Sequence, residues 1–147
     1  MDKESDDEFD RFVETLQEEI YREEEAVYSR EVIQEYRNPQ NVGRMSDPDA
    51  SAVMTGSCGD TMEFYLKIEE DRVKDIQFMT NGCGPSIACG SKLTKMVKGK
   101  TVDEVRTITQ EDLLTALGGL PDESKHCTKL AVDTLGKALN QVTGPAF

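Results

Sequence analysis

The 147-residue sequence predicts an α+β fold, a small three-stranded antiparallel sheet packed against helices, with an added acidic amphipathic helix at the N-terminus. Three observations predict it. Apolar residues recur every three or four positions near both ends of the chain, but every second position in the middle. Turn signals bound the short alternating runs. The charge is also uneven: residues 1–25 hold three basic against twelve acidic residues, which is −9 of the net −12. A chain of this length forms one domain, so residues 1–26 are assigned as an acidic extension and 27–147 as the domain proper.

In the extension, Phe9, Phe12, Val13, Leu16 and Ile20 form one helical stripe, and the other face is almost wholly acidic. Such a segment reads as a solvated helix resting loosely on the domain; iron attraction or docking to a basic surface is the functional alternative. A second helix starts after Ser29 as N-cap, has Val32, Ile33 and Tyr36 as its apolar residues, and stops at Asn38-Pro39, followed by the turn-rich run NPQNVG. Three strands come next. Ala50–Thr55 is the first, the alternation of Met62, Phe64, Leu66 and Ile68 marks the second, and Ile76 with Phe78 marks the third; EEDR at 69–72 supplies the hairpin turn. Pro85 then opens a helix that runs to about Val97, ahead of Gly99. Thr109 and Asp112 form a capping-box pattern for a short helix ending at Gly118-Gly119. A last helix starts near Ser124, carries Leu130, Ala131, Leu135, Ala138 and Leu139 on one broad face, and ends before Gly144-Pro145. Met54, Met62, Met79 and Met96 are scattered and read as core.

Charge and hydropathy exclude several functions. A net negative chain without clustered Lys and Arg is not a nucleic-acid binder. No apolar run reaches the length of a membrane span. The acidic start resembles neither a secretion signal nor an Arg-rich transit peptide, so the expected compartment is the cytoplasm. There Cys58, Cys83, Cys89 and Cys127 stay reduced, which points to metal or thiol chemistry rather than disulfides.

Three of these cysteines fall at the mouths of elements. Cys58 lies between the first two strands, Cys83 between the third strand and a helix, and Cys127 in the first turn of the last helix, beside His126, the chain's single histidine. No C-x-x-C pair is present, so zinc-ribbon and two-cluster ferredoxin patterns are absent, and spacing alone leaves a shared metal site unproved. Gly56, Gly59, Gly82 and Gly84 allow close backbone approach with N–H groups aimed at sulfur, as an anionic cluster requires. Helix starts favour thiolate at Cys83 and Cys127. Asp60 adds a hard oxygen ligand, which suits iron or zinc and holds a cluster less firmly than a fourth thiolate would. Asp60 could instead be a turn residue, and His126 a packing or capping group. Cys89, inside a helix, reads as a buried structural thiol.

The segments YSREVIQEYRNPQNVG, GSCGDTMEFYLKI, FMTNGCGPSIACGSKLT, VKGKT and LPDESKHCTKLAVDTL, in this order, resemble the iron–sulfur cluster scaffold family, the IscU-like and NifU N-terminal proteins. The resemblance covers residues 28 to about 141 and leaves the acidic extension outside. It implies a site of Cys58, Asp60, Cys83, His126 and Cys127, supported by Gly59, Gly84 and Lys125. It also implies that a pyridoxal-phosphate cysteine desulfurase delivers persulfide sulfur to Cys127, that iron binds the same ligands, and that an electron donor such as a ferredoxin reduces the sulfur. The product would be a [2Fe–2S] cluster handed to apo acceptor proteins by a monomer or a cluster-bridged dimer, with zinc as an alternative occupant. Persulfide transfer requires an accessible, partly ionised thiol, expected of a cysteine at an exposed helix start.

Two departures from the family pattern stand out. Where many members read L-P-P-V-K, a docking segment for an Hsp70-type chaperone, Leu120-Pro121 is followed here by Asp122-Glu123-Ser124, which places chaperone docking in doubt; Lys125 offers a positive charge at a shifted position. Cys89 replaces the usual small residue. The insertion typical of SufU-like, zinc-dependent sulfurtransferases is missing, so an assembly scaffold that turns over no small molecule is favoured over a sulfurtransferase. An acidic activator module with incidental thiols is the third class.

Overall fold

A computed structural model describes residues 3–142. Gly144-Pro145, expected to follow the last helix, lie outside the described residues. The elements run α1 (Lys3–Val27), α2 (Arg30–Arg37), β1 (Ala50–Thr55), β2 (Thr61–Glu69), β3 (Arg72–Thr80), α3 (Gly84–Val97), α4 (Val102–Arg106), α5 (Gln110–Ala116) and α6 (His126–Leu139), with a 3₁₀ turn at Asp122–Ser124. The sheet is antiparallel in the order β1-β2-β3, and among the described residues no helix is long and apolar enough to cross a membrane.

Period-two alternation sets the sheet. Met62, Phe64 and Leu66 on β2 face the helices, opposite Ile76 and Phe78 on β3, and all five are buried. Full burial of each such side chain stabilises the fold by roughly 1.5–3 kcal/mol. β2 and β3 join through Glu70 and Asp71, both at positive φ (52° and 63°), the two-residue turn whose twist suits a hairpin. The register skips Lys74 between the pairs Lys67↔Asp75 and Ile68↔Val73, and this bulge returns Val73 to the core face despite its odd spacing from Ile76.

Helices cover that face. α3 and α6 pack on the sheet and on each other, burying Ala88, Leu93 and Val97 from one and Leu130, Ala131, Leu135, Ala138 and Leu139 from the other. Met62 is in the core, and Met54 and Met96 pack partly buried against it. Apolar periodicity does not predict α4, because only Val102 and Val105 face inward; its signal is the Thr101–Glu104 capping box. The expected box at Thr109 and Asp112 forms as well. The last helix begins near Ser124 as expected: Ser124 closes the 3₁₀ turn, and the cap position falls to Lys125, which has helical dihedrals and no side-chain cap.

The α2–α3 contact contains a buried carboxylate. Ser91 Oγ donates to Glu35 at 2.6 Å, Lys95 Nζ lies 2.5 Å from the other carboxylate oxygen, and the Gln40 N–H donates to Ser91 Oγ at 2.9 Å. These bonds satisfy a group that would be costly to bury alone and lock α2 and the following turn onto α3.

Candidate functional site

Two adjoining loops and the start of α6 meet at one end of the sheet. Gly56 N–H donates to Asp60 O at 2.8 Å and Gly59 N–H to Gly56 O at 3.0 Å, closing a tight β1–β2 loop with Cys58 exposed near its tip. Gly59 sits at φ +91°, where a side chain would be strained. The second loop is tied to the first: Thr61 N–H donates to Asn81 Oδ1 at 2.8 Å, and Gly82 N–H to Thr80 Oγ1 at 3.0 Å. Cys83 then occupies the N-cap position of α3 with extended dihedrals; its carbonyl accepts from Ile87 N–H at 3.1 Å, while its thiol makes no capping bond and is exposed. Pro85 holds the first turn, as expected.

Cys127 is the inner member. Its Sγ lies 3.5 Å from Ser86 Oγ and 3.7 Å from His126 Nε2, and Ser86 Oγ donates to Asp60 Oδ2 at 3.3 Å. The backbone at Gly82 passes so close that an added Cβ would stand 2.5 Å from Ser86 Oγ and 2.8 Å from Asp60 Oδ2, so only glycine fits. Sequence reasoning missed Ser86. Its signal was the spacing Cys83-x-x-Ser86, which places both residues on one side of the first turn of α3.

The structure corrects one expectation. Cys127 is only 3% exposed, not accessible at an open helix start. Burial pushes its thiol pKa up, the neighbouring Cys83, Cys58 and Asp60 act in the same direction, and the Ser86 hydroxyl opposes them. The helix-start effect inferred from sequence is therefore outweighed by desolvation. Cys89 is buried as expected, with its thiol pushed up by burial first and by the proximity of Cys127 second.

Among the described residues, no three His, Cys, Asp or Glu side chains are already closed into a metal cage. The contacts join Asp60, His126 and Cys127 around Ser86, with Cys58 and Cys83 exposed on the two loops. This soft sulfur set with one carboxylate and one imidazole fits iron or zinc chemically. Lys125, next to His126, is paired with Asp122 at 2.9 Å, which offsets the charge it would present. A cavity of about 290 Å³ beside the site is lined by Gly56, Ser57, His126 and Leu130 among others. A larger one, about 650 Å³, lies between α1, α2 and Lys95 and has no cysteine in its lining.

The sequence profile of the NifU-like N terminal domain matches residues 27–145. The chain belongs to that family. It is 43% identical over 114 residues to the iron–sulfur cluster assembly scaffold protein IscU 1 of Archaeoglobus fulgidus, a match covering 77% of this chain and 74% of the relative. Against the IscU scaffold protein of Azotobacter vinelandii it is 39% identical over 117 residues, covering 76% and 91%. The NifU-like fold is also seen in the crystal structure of a NifU-like N-terminal protein from Brucella abortus, with a TM-score of 0.67 at 22% identity over 79% of this chain and 94% of that one. The two IscU relatives make this an IscU-like member of the NifU N-terminal family, as its motifs suggested.

Proposed function

We propose that this protein is a scaffold on which a [2Fe–2S] cluster is assembled and then handed on, with Cys58, Cys83 and Cys127 as thiolate ligands and Asp60 or His126 completing the set. The observation that carries the reading is the Asp60–Ser86–Cys127–His126 contact set, in a chain belonging to the scaffold family. The cluster is cargo, so a site with one exchangeable oxygen or nitrogen ligand suits its task better than four thiolates.

Sulfur arrives by thiolate attack. The Cys127 thiolate attacks the outer sulfur of a persulfide on a pyridoxal-phosphate cysteine desulfurase; the new S–S bond forms on Cys127 and the desulfurase cysteine leaves as thiolate. Two electrons from a ferredoxin-type donor then cleave that bond, giving sulfide and regenerating the Cys127 thiolate. Because Cys127 is 3% exposed, the covering loops must move for the attack. Ser86 has one hydroxyl hydrogen: while it goes to Asp60, the Cys127 thiol donates to Ser86 Oγ. Ionised Cys127 takes that hydrogen instead, which stabilises the thiolate and frees Asp60 Oδ2 as a ligand. Thiol activation and ligand release are one exchange.

Anaerobic reconstitution with ferrous iron and a cysteine desulfurase tests the reading. Charge-transfer absorption with equal iron and sulfide is expected, and Asp60→Ala should hold the cluster longer when an apo acceptor is added. Tightly bound zinc, no chromophore and sulfane sulfur on Cys127 would replace the scaffold by a sulfurtransferase.

A further inference from the structure

Gly84, which follows Cys83, is closed off by an aromatic ring. A Cβ built there would meet Tyr36 Cδ2 at 3.2 Å, Cε2 at 3.4 Å and Cγ at 3.5 Å. The Tyr36 ring therefore supports the backbone that presents the exposed Cys83 thiol. The Cys58 loop, by contrast, is closed by its own backbone bonds between Gly56, Gly59 and Asp60.

The acidic extension reaches α2 at the residue next to Tyr36. Burial first, and the nearby Glu24 carboxylate second, raise the Tyr36 phenol pKa well above its ordinary range. Arg37 reaches one Glu24 oxygen with Nη2 at 2.8 Å and Nε at 3.2 Å, and its guanidinium carbon lies 3.9 Å from the centroid of the Tyr21 ring. Tyr28 meets Tyr36 edge-on, with centroids 6.0 Å apart. α2 itself is fastened to α3 through Glu35, Ser91 and Lys95. The C-terminal end of α1, the Tyr36–Arg37 end of α2 and the Cys83 loop are thus linked in series.

We propose that Tyr36 is a positioning residue for Cys83 and that Glu24 of the acidic helix, through its ion pair with the adjacent Arg37, steadies the end of α2 that carries the ring, which makes the extension part of the thiol site. This rests on Cys83 being a site thiol. The exposed stripe runs from Phe9 to Ile20, while the following stretch from Tyr21 to Glu24 works as a latch on α2 and, through it, on the loop. A loop held this way presents Cys83 in one geometry, as a preorganised ligand should be presented.

The test uses the full chain and timed alkylation by iodoacetamide, with Cys83 and Cys58 quantified separately by peptide mass spectrometry. In Tyr36→Ala the ratio of Cys83 to Cys58 rates should rise about fivefold as the loop loosens, and in Glu24→Ala about twofold. Tyr36→Phe keeps the ring on Gly84 and should restore most of the wild-type ratio. An unchanged ratio in Tyr36→Ala or Glu24→Ala overturns the proposal, as does a parallel rise at both cysteines, which would signal general loosening. Glu24 is at the surface, so its variant decides the matter even if Tyr36→Ala folds poorly. Alkylation needs neither iron nor sulfide, so its failure is distinct from failure of the scaffold reading, which cluster reconstitution decides.

Discussion

α1 and α6 are both amphipathic helices, yet one leaves its stripe in water and the other buries it. Leu130, Ala131, Leu135, Ala138 and Leu139 of α6 are buried against β1, β2 and α3. On α1, Phe9 and Phe12 are 65% and 62% exposed, with Leu16 and Ile20 exposed too, and contact with the domain comes near its C-terminal end through Glu24. Periodicity marks the face a helix can bury; whether it does so depends on a neighbour and on the charge that must come with it. The α1 flanks carry most of the chain's net negative charge, and desolvating them against the domain would cost more than the stripe returns. Stability therefore resides in the sheet–helix core, while α1 contributes through a few contacts at one end.

The largest effect should come from Leu135→Ala, which leaves a cavity under α6 and is expected to cost about 2–5 kcal/mol in denaturant unfolding. A cost near zero would mean that the α6 stripe is no better packed than that of α1. Next is a pH effect from the two buried thiols. Cys89 and Cys127 have folded pKa values raised above the ordinary thiol value of 9.0, so above that pH the unfolded chain loses protons that the folded chain keeps. Their contribution is fully present below pH 9.0 and should fall as pH rises beyond it; Cys89→Ala should flatten that decline in pH-dependent unfolding curves. In the first turn of α3, Ser86→Ala removes the one group lowering the Cys127 pKa, so the pH midpoint for alkylating Cys127 should move upward. A midpoint that stays put would deny Ser86 its role in the thiol–carboxylate exchange. The smallest effect belongs to Phe12→Ala, within about 0.5 kcal/mol of wild type. A clear loss there would show that the α1 stripe is covered in solution.

Much of this was legible in the residues. Met62, Phe64, Leu66, Ile76 and Phe78 alternate clearly because one sheet face is buried and the other is not, and Ser29, Thr109 and Pro85 stand where helices begin. Less legible were features that depend on a distant partner. The Lys74 bulge breaks the alternation between Val73 and Ile76 and shows only in the pairing with β2. Helix α4 has too few inward residues for a period. At the site, motif residues located the thiols, but their exposure is set by packing: Cys58 and Cys83 stay on loops, while Cys127 is covered against Ser86. The carboxylate–hydroxyl–thiol contact spans three segments, so no local pattern announces it, and the same holds for the Tyr36 ring on Gly84.

The most direct test of the site assignment is iron and sulfide content after reconstitution of the wild type and of Cys58→Ala, Cys83→Ala, Cys127→Ala and Cys89→Ala, measured side by side. The scaffold account predicts a [2Fe–2S] complement in the wild type and in Cys89→Ala, whose thiol is fully buried in the core, and loss of stable cluster in the other three. A full cluster retained without Cys58 or Cys83, or one lost only without Cys89, would contradict it.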